Sequence, residues 1–288
     1  SPDNANGETA TFTLRAWDQT SGIASSASTP RTGDTSIAGG STAYSSGTAT
    51  ASIAVTNAND APVLTAGSPT LPGLTDSQIN DAGVLVSTLY STNFTDVDNS
   101  AVKGIAITSL NAGNGTWQYS LNGTTWNNIG AVSVNSALLL RSTDHVRFVP
   151  NGISGTTADF TFRAWDQTGI TNGMHGTKAV ASSAGGTTPF SVGFNTASIT
   201  VTAVNDAPTL TGSGGNLTWT EGNNTTSIPV VVDSGLTITD ADGPYIASAT
   251  ARISNNYSSG NDSLELVSVA ATMGNIIGTW DAGTGTLT

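Results

Sequence analysis

The feature that most constrains this chain is a long internal repeat, because a segment that recurs must find the same partners and bury the same face each time. Thr9-Ala-Thr-Phe-Thr-Leu-Arg-Ala-Trp-Asp-Gln-Thr20 returns as Thr157-Ala-Asp-Phe-Thr-Phe-Arg-Ala-Trp-Asp-Gln-Thr168, which sets Asp18 and Asp166 148 residues apart. Ala51-Ser-Ile-Ala-Val-Thr-Asn-Ala-Asn-Asp-Ala-Pro62 returns as Ala197-Ser-Ile-Thr-Val-Thr-Ala-Val-Asn-Asp-Ala-Pro208, 146 residues on. Two separate blocks thus keep nearly one period. The parse is the C-terminal part of one repeat over 1–62, a complete repeat over 63–208, and the N-terminal part of a diverged repeat over 209–288. In the last, Trp219-Thr-Glu221 and Thr239-Asp-Ala-Asp242 stand where the second has Leu74-Thr-Asp76 and Thr95-Asp-Val-Asp98.

The blocks alternate in character. Phe160, Phe162 and Ala164 face one side of a strand and Thr161, Arg163 and Trp165 the other, and Ile199 and Val201 alternate with threonines. Further strands are expected over Val84–Leu89, Gly104–Leu110, Thr116–Leu121, Ala137–Leu140, His145–Val149 and Ser227–Val232, separated by turns such as Asn122-Gly123. Short strands at this spacing, with no helical period, point to an all-β protein of tandem antiparallel sandwiches. Trp117 and Trp126 flank the Asn122-Gly123 turn and are expected to pack across a hairpin rather than to form a sugar platform. The Ser/Gly/Thr-rich stretches 24–47 and 182–188 are expected to be loops.

Composition removes whole classes of function. Net charge is −12 with only 8 Lys plus Arg, so nucleic acid would be repelled. No cysteine is present, which excludes disulfides, thiolate zinc sites and cysteine nucleophiles. No run approaches 18 apolar residues, so no membrane insertion is expected in this segment. Residues 1–7 lack the pattern of a signal peptide, and both ends read as cuts through a longer chain. His145 and His175, the only histidines, lie in no metalloprotease motif, and neither a Gly-x-Ser-x-Gly elbow nor a phosphate loop occurs. His145 reads as an ordinary surface residue. No enzyme is expected.

The chemistry lies in carboxylates. Calcium takes six to eight oxygen ligands, and Asp side chains two residues apart on extended chain can approach one ion. Asp96 with Asp98 makes one such pair and Asp240 with Asp242 another. Asp18 and Asp166 each close a strongly patterned strand, and Asn59-Asp60 and Asn205-Asp206 lie where one repeat hands over to the next.

This order of Ala164-Trp165-Asp166, an alternating strand over Ser198–Val204, Asn205-Asp206-Ala207-Pro208 and then Asp240-Ala241-Asp242 resembles the cadherin and bacterial cadherin-like repeats of large surface adhesins. The resemblance implies Ca²⁺ between consecutive domains. Carried over by position, the first junction would use Asn57, Asn59, Asp60, Asp96, Asp98 and Asp166. The second would use Asn205, Asp206, Asp240 and Asp242 with Asp76 contributing, and Asp18 would serve a junction before Ser1. The sequence departs from the animal family in its Asn-Asp-Ala-Pro linker and lacks a Leu-Asp-Arg-Glu-like motif, which implies fewer ions per junction. The implied role is an extended, calcium-rigidified extracellular stalk at the cell surface, with an unknown receptor, a glycan or copies of itself as partner. A subunit of a self-assembling filament or surface layer and a glycan-binding module are the competing readings.

Overall fold

Every second side chain of a strand reaches the same face, and the recurring blocks fold on that period. The computed structural model describes residues 6–169, 174–219, 228–243, 245–268 and 276–288, and these are nearly all β. β1 (Glu8–Leu14) pairs antiparallel with β2 (Ala49–Val55), Phe12 opposite Ala51 and Thr13 opposite Thr50. There follow β3 (Val63–Leu64), β4 (Leu74–Thr75), β5 (Val84–Leu85), β6 (Phe94–Thr95), β7 (Gly104–Asn111), β8 (Gly115–Ser120) and β9 (Asn127–Asn128). Next come β10 (Ala137–Arg141), β11 (His145–Pro150), β12 (Thr156–Trp165), β13 (Lys178–Ala179) and β14 (Phe190–Thr202). β12 and β14 repeat the register of β1 and β2, with Phe160 opposite Ala197 and Thr161 opposite Thr196.

One sheet runs β13-β10-β7-β12-β14-β4 and a second runs β5-β11-β8-β9. Ile105 and Ile107 from β7, Leu138 and Leu140 from β10, and Phe160 and Phe162 from β12 share a buried cluster with Trp117 from β8 and Val146 and Phe148 from β11. Trp117, 1% exposed, meets Phe148 edge-on at 5.1 Å and Phe160 at 4.9 Å and so ties the two sheets together. Its Nε1 donates to the Asn111 carbonyl at 3.1 Å, which satisfies its one polar group. Trp126 lies under the Arg147 guanidinium of β11, 4.2 Å from ring centroid to Cζ, so its partner comes from outside the β8–β9 hairpin that it flanks.

Several expectations are revised. Val84–Leu89 is a strand only over its first two residues; Val86–Leu89 is a 3₁₀ turn, whose i, i+3 spacing buries Val86 and Leu89 together. Trp165 is buried as well as Ala164, because the outer face of the larger sheet carries its own small cluster of Ala106, Leu139, Trp165, Ala181 and Phe190. Not all pairing is antiparallel: Thr70 bridges Ser198 in parallel, and the Leu71 N–H donates to the Ser198 carbonyl at 2.8 Å. His145 is half-buried rather than an ordinary surface residue, and its Nδ1 is shielded from solvent without a partner. Ile228–Val232 forms no strand; Ser227, and the Glu221 that aligns with Asp76, lie outside the described residues.

The chain divides into two compact units, one of Ser1–Leu74, Gln78–Asn151 and Thr156–Val201, the other of Thr75–Ser77, Gly152–Gly155 and Thr202–Thr288. In the second, β15 (Thr209–Thr211) pairs with β16 (Thr237–Thr239). β17 (Ala251–Arg252), β18 (Trp280–Asp281) and β19 (Thr286–Leu287) form a sheet in the order β17-β19-β18, with Tyr257 edge-on to Trp280 at 5.9 Å. No described helix is long and apolar enough to cross a membrane.

Candidate cation site at the linkers

The Asn57–Asp60 linker leaves β2 and meets the complete repeat through polar groups. The Asp60 N–H donates to Asp98 Oδ2 at 2.9 Å, and the Asp98 N–H donates to Asp96 Oδ1 at 3.0 Å, the short Asp-x-Asp turn that draws both carboxylates to one side. The Asn59 side-chain amide donates to Asp166 Oδ2 at 3.0 Å, while its nitrogen also has the carbonyls of Asp60 at 3.3 Å, Thr187 at 3.5 Å and Thr188 at 3.3 Å around it. Four oxygens surround a group with two protons, so not all can be satisfied by it. Asp166 is 1% exposed at the end of β12, and its other oxygen is held by the Thr168 N–H at 2.7 Å and hydroxyl at 2.6 Å. Asn57 is peripheral: it accepts from the Gly7 N–H at 3.1 Å and reaches Asp98 only at 3.5 Å.

Crowded carboxylates raise each other's proton affinity. Asp96 is held above its ordinary range chiefly by burial, opposed by the Asp98 N–H it accepts from, and further by the charges of Asp166, Asp98 and Asp60. Its Oδ2 is sealed from solvent and has no hydrogen-bond partner. An ionised oxygen of that kind costs folding energy unless a cation meets it. Among the described residues no three acidic or histidine side chains close on a common point as an assembled metal centre. The carboxylates therefore converge without closing, and the orphaned Asp96 oxygen is the observation that fits a hard cation.

The second linker repeats the first. The Asp206 N–H donates to Asp242 Oδ2 at 2.6 Å, the Asp242 N–H to Asp240 Oδ1 at 2.9 Å, and the Asn205 amide to the Asp206 carbonyl at 3.0 Å. The buried, unpartnered oxygen here is Asp206 Oδ2, on the equivalent of Asp60 rather than of Asp96. Asp76, 1% exposed, does not bond to these carboxylates: both its oxygens accept from the Val204 N–H, at 3.2 and 3.1 Å, so it fixes the chain just before the linker. Asp18 is exposed and accepts from the Thr20 N–H and hydroxyl, which lower its pKa, apart from the other named residues.

The sequence reading missed the carbonyls. Gly186, Thr187 and Thr188 bring a tight turn against the linker, and the Gly186 carbonyl accepts the Ala61 N–H at 2.8 Å. Gly185 and Gly186 both hold positive φ, 78° and 60°. A signal was present, since Gly39-Gly40 recurs one period earlier with φ of 81° and 60°.

No described protein family matches the chain, and no solved structure matches it. Over 92 residues, 32% of its length, it is 42% identical to halomucin of the archaeon Haloquadratum walsbyi. That stretch is 1% of halomucin, which makes halomucin on the order of ten thousand residues long.

Proposed function

We propose that this chain is a segment of a very long extracellular protein built from tandem cadherin-like β-sandwich repeats, and that calcium at the linkers stiffens it into a stalk that holds an adhesive end away from the cell surface. The observation that carries this reading is the duplicated linker: in both copies the linker Asp N–H donates to the second carboxylate of the Asp-x-Asp, whose own N–H donates to the first, and each set keeps one carboxylate oxygen buried without a partner, on Asp96 in the first and on Asp206 in the second. A partial likeness to a protein as long as halomucin supports the setting in a giant chain. Repetition favours a spacer over a glycan-binding module, since the carboxylate features recur in each copy. Asp60, Asp96, Asp98 and Asp166 would hold the ion at the first linker, and Asp206, Asp240 and Asp242 at the second. The ion supplies positive charge that lets these carboxylates stay ionised at close quarters.

Small-angle scattering with 10 mM calcium and with chelator tests the mechanism. The expected outcome is a longer maximum dimension with calcium; superimposable curves would refute rigidification.

A further inference from the structure

Asparagine followed two residues on by serine or threonine is the triplet at which an exported chain accepts a sugar on its amide nitrogen. The sequence holds eight such triplets. A chain this rich in Ser and Thr produces several by composition alone, so local structure has to separate an acceptor from a coincidence. Asn93-Phe94-Thr95 is built into the fold: Phe94 is 1% exposed, and a methyl group on Gly67 would collide with the Asn93 amide nitrogen. Asn114-Gly115-Thr116 is tied down on both sides. The Asn114 N–H donates to the Thr156 hydroxyl at 3.2 Å, its carbonyl accepts from the Asn151 N–H at 3.0 Å, and Thr116 lies in β8 opposite Val149. The Asn261 amide is engaged, donating to the Ser258 hydroxyl at 2.9 Å. The triplets at Asn223 and Asn224 lie outside the described residues.

Asn122-Gly123-Thr124 differs from these. It stands in the tip between β8 and β9, with Asn122 and Thr124 both exposed. Four groups donate to Asn122 Oδ1: the Thr124 N–H at 3.0 Å, the Thr124 hydroxyl at 3.1 Å, the Thr125 N–H at 2.8 Å and the Ser120 hydroxyl at 3.0 Å. Backbone N–H groups only donate, so the atom they face is the amide oxygen. The nitrogen is left with the Thr125 hydroxyl at 3.3 Å. Gly123 holds a φ of 76°, which folds the chain back so that Thr124 reaches the asparagine of its own triplet. The Thr124 and Thr125 N–H groups bond to that side chain rather than to a neighbouring strand. An enzyme can therefore draw out the tip without opening the ladder of β8 with β11.

We propose that Asn122 is an N-glycosylation site, supplied by a sugar carried on a polyprenyl phosphate; the proposal rests on the extracellular setting argued above. The Asn122 Nδ2–C1 bond forms as the bond from C1 to the phosphate oxygen breaks. The phosphate leaves with that electron pair on its lipid carrier, and one Nδ2 proton passes to a base of the transferase. As the proton leaves, negative charge spreads onto Oδ1, where the four donors already point. The product places a bulky, hydrated group on the hairpin tip of the complete repeat.

The test is electron-transfer mass spectrometry on protein purified from the surface of its own host cells. The tryptic peptide Gly104–Arg141 holds both Asn114 and Asn122 and so carries its own comparison. Most of this peptide is expected to bear a glycan mass on Asn122, with Asn114 bare. Thr124→Ser, which keeps the hydroxyl, should keep the modification. Thr124→Val and Asn122→Gln should each return the peptide to its unmodified mass, with circular dichroism and melting verifying the fold of both. An unmodified Asn122 on surface protein, a glycan on Asn114 instead, or a Thr124→Val chain modified as fully as the parent would overturn the proposal. Each of these leaves the stalk reading, which scattering tests, untouched. A chain recovered only from inside the cell would overturn both.

Discussion

At the scale of single residues, Asp96 and Asn59 carry opposite lessons. Asp96 has a raised pKa in the folded protein, so with rising pH the folded state holds its proton longer than the unfolded state does. Stability therefore falls as pH climbs through the window above the ordinary value of 3.8, and the full penalty is present above the folded pKa. Asp96→Asn, neutral at every pH, should raise the calcium-free melting temperature at pH 7 and leave it unchanged at pH 3.5 and below. Equal melting of the two proteins at pH 7 would show that the crowding is relieved in solution. Asn59 instead supplies a donor to Asp166, which is 1% exposed. Asn59→Ala leaves that buried oxygen without its amide, and urea unfolding should show a loss of about 1–3 kcal/mol. That Asn59, Asp60, Asp98 and Asp166 share one junction was carried over from the resemblance, but that Asp60 pairs with Asp98 and Asn59 with Asp166 was not legible. Which side of an amide faces a carboxylate depends on the carbonyls of Thr187 and Thr188, which no spacing in the sequence announces.

At the scale of elements, the alternating blocks were legible because period two survives wherever one face is buried. Phe160 and Phe162 fall inward as their spacing requires. Val84–Leu89 was misread because its apolar residues fit a strand and a 3₁₀ turn equally well, and only the packing of Val86 with Leu89 decides between them. Trp165 defeated the two-face rule for a related reason: loop residues such as Ala181 cover what alternation assigns to solvent. The element on which the complete repeat most depends is β8, whose Trp117 joins both sheets. Trp117→Ala should cost about 3–5 kcal/mol, seen as a lower urea midpoint with the same slope. A loss below about 1 kcal/mol would mean that Phe148 and Phe160 close the gap unaided. The outer strands of both sheets, β13, β4, β5 and β9, have only two residues each. So short an edge offers little to a neighbouring chain, which disfavours assembly of this repeat by strand pairing.

At the scale of the whole molecule, the repeat in the sequence becomes a repeat of interactions: a glycine turn beside the strand-end aspartate, a linker and an Asp-x-Asp, each present twice, with the first linker docked on the Gly186–Thr188 turn. A chain so built concentrates negative charge at its linkers while having 8 Lys plus Arg in all to offset 20 Asp plus Glu. Among the described residues the one ion pair joins Arg141 to Asp144, neither of which belongs to a linker. On the calcium reading proposed above, neutralisation at the linkers comes from solution, where a divalent cation does this at least cost in ordered ions. With the affinity of about 10⁻⁴ to 10⁻³ M that extracellular modules show, 10 mM calcium should stabilise the folded chain by about 1.4–2.7 kcal/mol per site through mass action. The melting temperature should rise accordingly with calcium, less with magnesium, whose octahedral geometry tolerates the spread oxygens poorly, and not with the same ionic strength of sodium chloride. Asp240→Ala should remove the part of the rise that belongs to the second linker and leave the first linker's share intact. A rise reproduced in full by sodium chloride would reduce the linkers to screened acidic clusters with no ion of their own.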